Sequence, residues 1–113
     1  MNEWVEKEAV TWWAKIYVGG DFVGAKEVCR KFCFPSGLCV NIRPIDFVFA
    51  GGAEAGVEVG LMQYPRFPEQ ENVLELKAIS LGKAIAEKNT QWTFLVMLRQ
   101  TTAWFSRKAN NEQ

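Results

Sequence analysis

A strict alternation of polarity near the start of the chain is the strongest constraint on its fold. Successive side chains of a β-strand point to opposite faces, so alternation over Thr11–Val18 predicts a strand with one buried face. Such a strand needs other elements packed on that face to form a core. The buried side is expected to hold Trp12, Ala14, Ile16 and Val18, and the other side Trp13, Lys15 and Tyr17.

The rest of the chain supplies helices and strands in a regular order. Asp21 is a predicted helix N-cap, and Pro35-Ser36-Gly37 is expected to end that helix. Apolar residues at the helical period also predict a second helix over residues 71–88. Further strands are predicted at 38–43, 45–49, 57–64, 92–99 and 102–106. The order β-α-β-β-α-β predicts an α+β, ferredoxin-like fold, an antiparallel sheet with two helices on one face.

Proline and glycine constrain the backbone at two places in the predicted hairpin. Pro44 is expected to interrupt its strand and to place it at an edge or bend, because proline cannot donate to a ladder. The glycine-rich segment 51–56 predicts the hairpin turn, with Glu54 at its tip.

Length and composition predict a single domain over residues 1–113, with flexible ends at 1–10 and 109–113. Hydrophobic residues make up 49% of the chain and charged residues 23%, as in ordinary globular proteins. The sequence has neither an apolar run long enough to cross a bilayer nor a signal peptide at its start, and its three cysteines are an odd number. We therefore expect a cytoplasmic protein with free thiols and no membrane contact.

The chain contains no histidine, which excludes histidine-based triads, bases and metal ligands. Cys29 and Cys33 are four positions apart, but both lie on the apolar stripe of the first helix, where core packing explains them. The carboxylates are scattered without a visible pairing. We therefore predict no catalytic residue, no metal and no cofactor, and the sequence favours a role that is not enzymatic.

The open face of the sheet is the first candidate contact surface. Aromatic residues interleaved with basic ones are typical of platforms on which nucleic-acid bases stack. However, the RNP pattern is missing, and 13 basic residues are balanced by 13 acidic ones. A partner protein or a second copy is favoured, because tryptophan and tyrosine are enriched at interfaces. The residues concerned are Trp13, Lys15, Tyr17, Asn41, Arg43 and Glu58.

The segment Tyr64-Pro65-Arg66-Phe67-Pro68 is a second candidate surface. Its two prolines hold it extended, and Tyr64, Arg66 and Phe67 are residue types that anchor interfaces. A stiff connector between strand and helix is the alternative. Leu76 and Ile79 are expected to project away from the core stripe of the second helix and could contact another chain.

Several motifs together resemble a family of small uncharacterised proteins of bacteriophages and integrated mobile elements. They are Cys-Arg-Lys-Phe-Cys at 29–33, Gly-Leu-Cys-Val at 37–40, the glycine-rich run at 51–61, Tyr-Pro-Arg-Phe-Pro at 64–68, and Trp-Phe-Ser-Arg at 104–107. The resemblance implies a mobile-element origin and no established activity. It assigns no functional residue.

The main hypothesis from the sequence is therefore a non-enzymatic interaction module of a phage or mobile element, dimeric or bound to a protein partner. One alternative is a small-molecule or nucleotide-binding protein whose pocket near residues 51–68 uses Arg43, Glu54, Tyr64 and Arg66. The other is a binder of single-stranded nucleic acid that uses Trp13, Lys15, Tyr17 and Arg43.

Overall fold

The computed structural model describes residues 3–107 of the chain. The predicted flexible end at 109–113, and the first two residues of the predicted end at 1–10, lie outside the described residues. Residues 3–10 form no helix or strand. The elements in chain order are β1 Trp13–Gly19, α1 Phe22–Ser36, β2 Val40–Phe49, β3 Gly52–Met62, α2 Glu71–Lys88, β4 Thr93–Met97 and β5 Thr102–Ser106.

The five strands form one antiparallel sheet in the order β2-β3-β1-β4-β5. This confirms the predicted α+β class with an antiparallel sheet and two helices. The order differs from the simple ferredoxin-like arrangement, because β5 adds a further strand beside β4 at the edge. The short apolar segment Thr102–Ser106 was expected as a strand, but its pattern did not reveal its neighbour.

Both helices pack on the face of the sheet that the alternation in β1 predicts to be buried. Ala14, Ile16 and Val18 of β1 are almost fully buried there, together with Val57, Val59 and Leu61 of β3. The helices contribute Ala25 and Cys29 from α1 and, from α2, the predicted stripe of Leu74, Ala78, Leu81 and Ile85. The Asp21 carboxylate accepts a hydrogen bond of 2.8 Å from the backbone N–H of Gly24, which confirms the predicted N-cap.

The hairpin of β2 and β3 differs from its prediction in two ways. Pro44 lies within a continuous β2 and does not interrupt it, since β2 is an edge strand and the missing N–H costs no ladder bond. The edge position itself was expected. The turn is also tighter than 51–56, because pairing continues to Phe49 and Gly52, and Gly51 supplies the positive φ of 90°.

The second helix carries one correction. Leu76 is exposed as expected, but Ile79 packs against the core and does not project from it. Ile79 follows Ala78 on the flank of the stripe and is partly buried. No helix among residues 3–107 is both long and apolar enough to cross a membrane. The prediction of a single domain stays a prediction.

Gly82 of α2 is required by close packing, which gives a test of the fold. Its Cα faces the ring of Phe94, which is buried and stacked on Phe105 at 4.8 Å between centroids. An alanine Cβ would overlap that ring. Overpacking costs about 1–3 kcal/mol, partly offset by the helix propensity that alanine adds.

We therefore expect Gly82→Ala to lower the free energy of unfolding by about 1–2 kcal/mol in urea titrations. Ser80→Ala, on the exposed side of the same helix, is the control and should change it by less than about 0.5 kcal/mol. A Gly82→Ala protein as stable as the control would show that the helix does not approach the sheet this closely.

Candidate functional site

The face of the sheet away from the helices carries a row of polar side chains across three strands. Tyr17 of β1 pairs with Glu58 of β3, and Glu58 pairs with Arg43 of β2. Side chains at paired positions share a face, so these three groups stand side by side. We call this the Tyr17–Glu58–Arg43 row. Trp13 and Lys15 continue the same face along β1, and the Lys15 Nζ lies 6.0 Å from the centroid of the Trp13 ring.

Glu58 is a buried carboxylate at the centre of this row. The residue is 8% exposed, and its Oε1 accepts a hydrogen bond of 3.0 Å from the Nη2 of Arg43. Burial alone would raise the pKa of Glu58. The hydrogen bond and charge of Arg43, with a smaller contribution from Lys15, outweigh burial and hold this pKa below its ordinary value. Glu58 is therefore an anion at neutral pH.

Tyr17 shares the same carboxylate. Burial raises the pKa of Tyr17, and the negative charge and hydrogen bond of Glu58 raise it further, against the opposing charge of Arg43. The phenol therefore keeps its proton and donates to Glu58. The row thus combines a fixed negative charge with a fixed hydrogen-bond donor.

A cleft of about 280 Å³ opens on this face at the end of β1 where Gly19 lies. Its walls come from β1, the β2–β3 hairpin, β4 and β5. Tyr17 belongs both to the cleft and to the row, so the carboxylate of Glu58 stands directly behind one wall. The lining of the cleft includes five aromatic residues and one carboxylate, that of Glu54. The side chains that line the cleft include those of Tyr17, Phe47, Glu54, Gln91, Thr93 and Trp104.

Glycines make room for this cleft. Gly56 precedes Glu58 by two residues on the same face, and a Cβ there would overlap the ring of Phe47. The ring instead lies across the Gly56 backbone. A Cβ on Gly60, on the other side of Glu58, would similarly come within 2.6 Å of the Asn41 side chain. The open face is therefore recessed around Glu58, with side chains of β2 leaning over β3.

Glu54 lies elsewhere than the sequence predicts. It is a residue of β3 opposite Phe47, not the tip of the turn, because the ladder extends to Gly52. Its side chain reaches across to β1. An ideal Cβ on Gly19 would lie 2.5 Å from Glu54 Oε2 and 2.9 Å from Gln91 Oε1, so the two oxygens converge over Gly19.

The structure does not bring together all the residues of the pocket that the sequence suggested. Tyr64 and Arg66 follow the end of β3 at Met62, which pairs with Trp13 at the start of β1. Glu54 lies at the opposite end of β1, beyond the pair of Gly19 and Gly56. In their loop, the rings of Tyr64 and Phe67 lie 5.9 Å apart, and Arg66 stacks over Phe67 at 5.2 Å. Phe67 is exposed.

The sequence analysis missed four of these six lining residues: Phe47, Gln91, Thr93 and Trp104. The alternation in Thr93–Met97 and Thr102–Ser106 could have assigned Thr93 and Trp104 to the open face once β5 was known to pair with β4. Gln91 lies in the connection between α2 and β4, and no pattern marks it.

A metal-binding group or a reactive cysteine thiol would be a further source of chemistry within residues 3–107. No group of three or more cysteine, aspartate or glutamate side chains within residues 3–107 is arranged to hold a metal ion. Cys29, Cys33 and Cys39 are free thiols. Burial raises the pKa of Cys29 to about 11, and it also raises the pKa of Cys33, so neither is an activated nucleophile.

Comparison with solved structures identifies proteins with the same fold. The structure of a phage SAM lyase in complex with S-methyl-5'-thioadenosine superposes with a TM-score of 0.71 over 99% of this chain and 100% of that one, at 14% identity. A phage SAM lyase in the apo state gives 0.70 over 98% and 100%, at 16% identity. The periplasmic divalent cation tolerance protein CutA from Archaeoglobus fulgidus gives only 0.42, at 13% identity. No protein-family model matches the chain, and no curated protein does.

These comparisons overturn the prediction of a non-enzymatic interaction module. Two structures that share the fold over nearly the whole chain are those of an enzyme from a phage. The prediction failed because it equated a lack of histidine and of paired carboxylates with a lack of chemistry. The phage-related part of the sequence resemblance agrees with the same two structures.

The Arg43–Glu58 pair generates a pH-dependent prediction. Folding lowers the pKa of Glu58, so the ionised carboxylate stabilises the fold at pH values above the pKa of an unfolded glutamate, about 4.3. This stabilisation is lost as the pH falls through the pKa of Glu58 in the folded protein. Arg43→Met removes the group that lowers this pKa and leaves a buried charge. We expect it to reduce the free energy of unfolding by about 1 kcal/mol at pH 7, and by progressively less below about pH 4.

Urea titrations from pH 3 to pH 8 measure this difference. In a Glu58→Gln background the same Arg43→Met change should have little effect at any pH, which makes the double variant the control. A loss that is equally large at pH 3 and pH 7 would show that Arg43 acts through packing and not through the Glu58 charge.

Proposed function

We propose that this chain binds SAM, S-adenosylmethionine, and cleaves it to S-methyl-5'-thioadenosine. The observation that carries the proposal is the aromatic cleft with Glu54 in its wall and the ionised Glu58 behind Tyr17. The likeness of the fold to phage SAM lyase supports it. A phage origin and a cytoplasmic location belong to the same proposal.

The cleft has the chemistry that a sulfonium nucleoside requires. The sulfur of SAM carries a positive charge, and aromatic faces attract cations in desolvated sites. Tyr17, Phe47 and Trp104 supply such faces, and Glu54 supplies a carboxylate in the wall of the cleft. The adenine ring also needs a flat partner. Trp104 is 60% exposed at the mouth of the cleft, where a base can stack on it.

The proposed reaction breaks one bond. S-Methyl-5'-thioadenosine retains the methyl and 5' carbon of SAM on sulfur, so the bond that breaks joins sulfur to Cγ of the methionine part. Its electron pair stays on sulfur, which becomes a neutral thioether. The carboxylate of the substrate itself can attack Cγ and close a five-membered ring, so that no proton moves and no water is consumed.

The residues of the row suit a cleavage without proton transfer. The lowered pKa of Glu58 makes it a weak base, and the raised pKa of Tyr17 makes it a weak acid at neutral pH. What they offer is a fixed charge and a fixed hydroxyl. Tyr17 therefore orients the substrate while Glu58 holds its hydroxyl, and most of the rate gain comes from holding the reacting carboxylate against Cγ.

The proposal predicts different effects for two tryptophans of similar exposure. Trp104 lines the cleft, whereas Trp92, 56% exposed, lies on the other side of the β4–β5 edge next to Arg107. Stacking of a base on an aromatic side chain contributes about 1–3 kcal/mol. We expect Trp104→Ser to lower kcat/KM for SAM cleavage by about 10-fold or more, and Trp92→Ser to change it less than about threefold.

Formation of S-methyl-5'-thioadenosine from SAM, followed by liquid chromatography, measures both variants. Tyr17→Phe, which keeps the ring and removes only the hydroxyl, should reduce the rate by less than Tyr17→Ala. Absence of any S-methyl-5'-thioadenosine with the wild-type protein, together with absence of SAM binding in calorimetry, would overturn the proposed function.

We also propose that a second copy of the chain covers the open face. The helices do not cover this face, and it carries the exposed apolar side chains of Phe49, Met62 and Trp104. Its charges are self-complementary, since Lys15 and Arg43 are balanced by Glu54 and Glu58. A partner copy would complete the walls of a cleft that one chain leaves open.

Solution mass by light scattering tests this contact. The wild-type protein should have a multiple of the 12.8 kDa chain mass. Trp13→Ala, on the open face, should shift it towards the monomer. Leu76→Ala, which removes a 63% exposed side chain from the helical side, should leave it unchanged. A monomeric wild type, or dissociation by Leu76→Ala alone, would exclude the open face as the contact.

A further inference from the structure

The oxygens that converge over Gly19 form an unusual feature of the cleft wall. Glu54 Oε2 and Gln91 Oε1 lie 2.5 Å and 2.9 Å from the point that a Cβ on Gly19 would occupy. They come from the β2–β3 hairpin and from the α2–β4 connection, and meet only in the folded chain. Both are acceptors. In the range 3–107, no hydrogen bond from the protein reaches the side-chain oxygens of either residue.

From this convergence we infer that Glu54 and Gln91 form a subsite for the primary ammonium group of the substrate's amino-acid part. The inference rests on the proposed function. An ammonium group carries three N–H donors and one positive charge. A carboxylate oxygen, an amide oxygen and the hydroxyl of Thr93, which lines the same cleft, supply three acceptors, and the carboxylate supplies the counter-charge.

The spacing along β1 matches the substrate. Gly19 and Tyr17 lie two residues apart on the same face, which is roughly 6.6 Å along a strand. In SAM, four bonds separate the sulfonium sulfur from the α-nitrogen, which is about 5 Å for bonds of about 1.5 Å. A sulfonium beside the Tyr17 ring therefore places the ammonium group next to Glu54 and Gln91.

Gly19 is the residue that keeps this subsite open. Any side chain at position 19 would occupy the space between the two oxygens and displace them. Gly19 has no positive φ, so its backbone conformation is open to other residues and the space alone demands glycine. Gly19→Ala should therefore fold and still lose the subsite.

The same geometry assigns specificity to Glu54. A nucleoside thioether that carries an α-amino group should bind more tightly than the same compound without it, because only the former pairs with the carboxylate. The adenine ring and the sulfur do not contact Glu54 in this arrangement. Loss of Glu54 should therefore remove the preference for the compound with the α-amino group and leave the affinity for the compound without it unchanged.

Calorimetry with two uncleavable probes tests the inference: S-adenosylhomocysteine and its analogue that lacks the α-amino group. The wild-type protein should bind the first at least about 10-fold more tightly, a difference of about 1.4 kcal/mol. In Glu54→Gln and in Gly19→Ala this ratio should fall to about twofold or less, with the affinity for the second probe unchanged. Glu87→Gln, an exposed carboxylate on α2 outside the cleft, should keep the wild-type ratio.

The outcomes separate the inference from the proposed function. Equal wild-type affinity for both probes, or a Glu54→Gln variant that loses both equally, would overturn the ammonium subsite and leave SAM cleavage standing. Failure of the wild type to bind either probe or SAM would overturn the proposed function, and the subsite with it.

Discussion

Burial of one face of β1 is the constraint on which the rest of the molecule depends. β1 is central in the sheet and pairs with β3 and β4. Ile16, fully buried, and its neighbours Ala14 and Val18 form the centre of the core, on which α2 packs directly. A one-residue slip in the register would exchange the two faces of the strand, so the hydrophobic pattern fixes the register. The same pattern places Tyr17 and Gly19 on the open side.

The open face becomes a site because glycine alternates with larger residues on its neighbouring strand. β3 presents Gly56, Glu58 and Gly60 in succession to this face. The two glycines let Phe47 and Asn41 lean inward from β2, and so Glu58 lies in a recess where Arg43 offsets the effect of burial on its pKa. Arg43 thus favours the ionised form of Glu58 against burial, and the Glu58 charge adds to the effect of burial in raising the pKa of Tyr17.

How much of this the sequence could predict depends on whether a feature is local. The alternation in β1, the Asp21 cap and the stripe of α2 depend on neighbours within a few residues, and all three were predicted. The cleft depends on the approach of Glu54 and Gln91 to Gly19, and these residues, distant in the chain, meet there because the hairpin extends past the end of β1. Ile79 was misplaced for a related reason, since its burial depends on how α2 packs against the rest of the core.

The functional prediction failed for a chemical reason. Histidine is the usual proton carrier at neutral pH, so a chain without it has few means of general acid–base catalysis. That argument excludes only reactions that need a proton carrier. A sulfonium leaves as a neutral thioether and requires no acid, and an ionised carboxylate of the substrate requires no base. For such a reaction the protein must bind a cation, exclude water and hold two substrate atoms together, which aromatic rings and two carboxylates on a recessed sheet face can do.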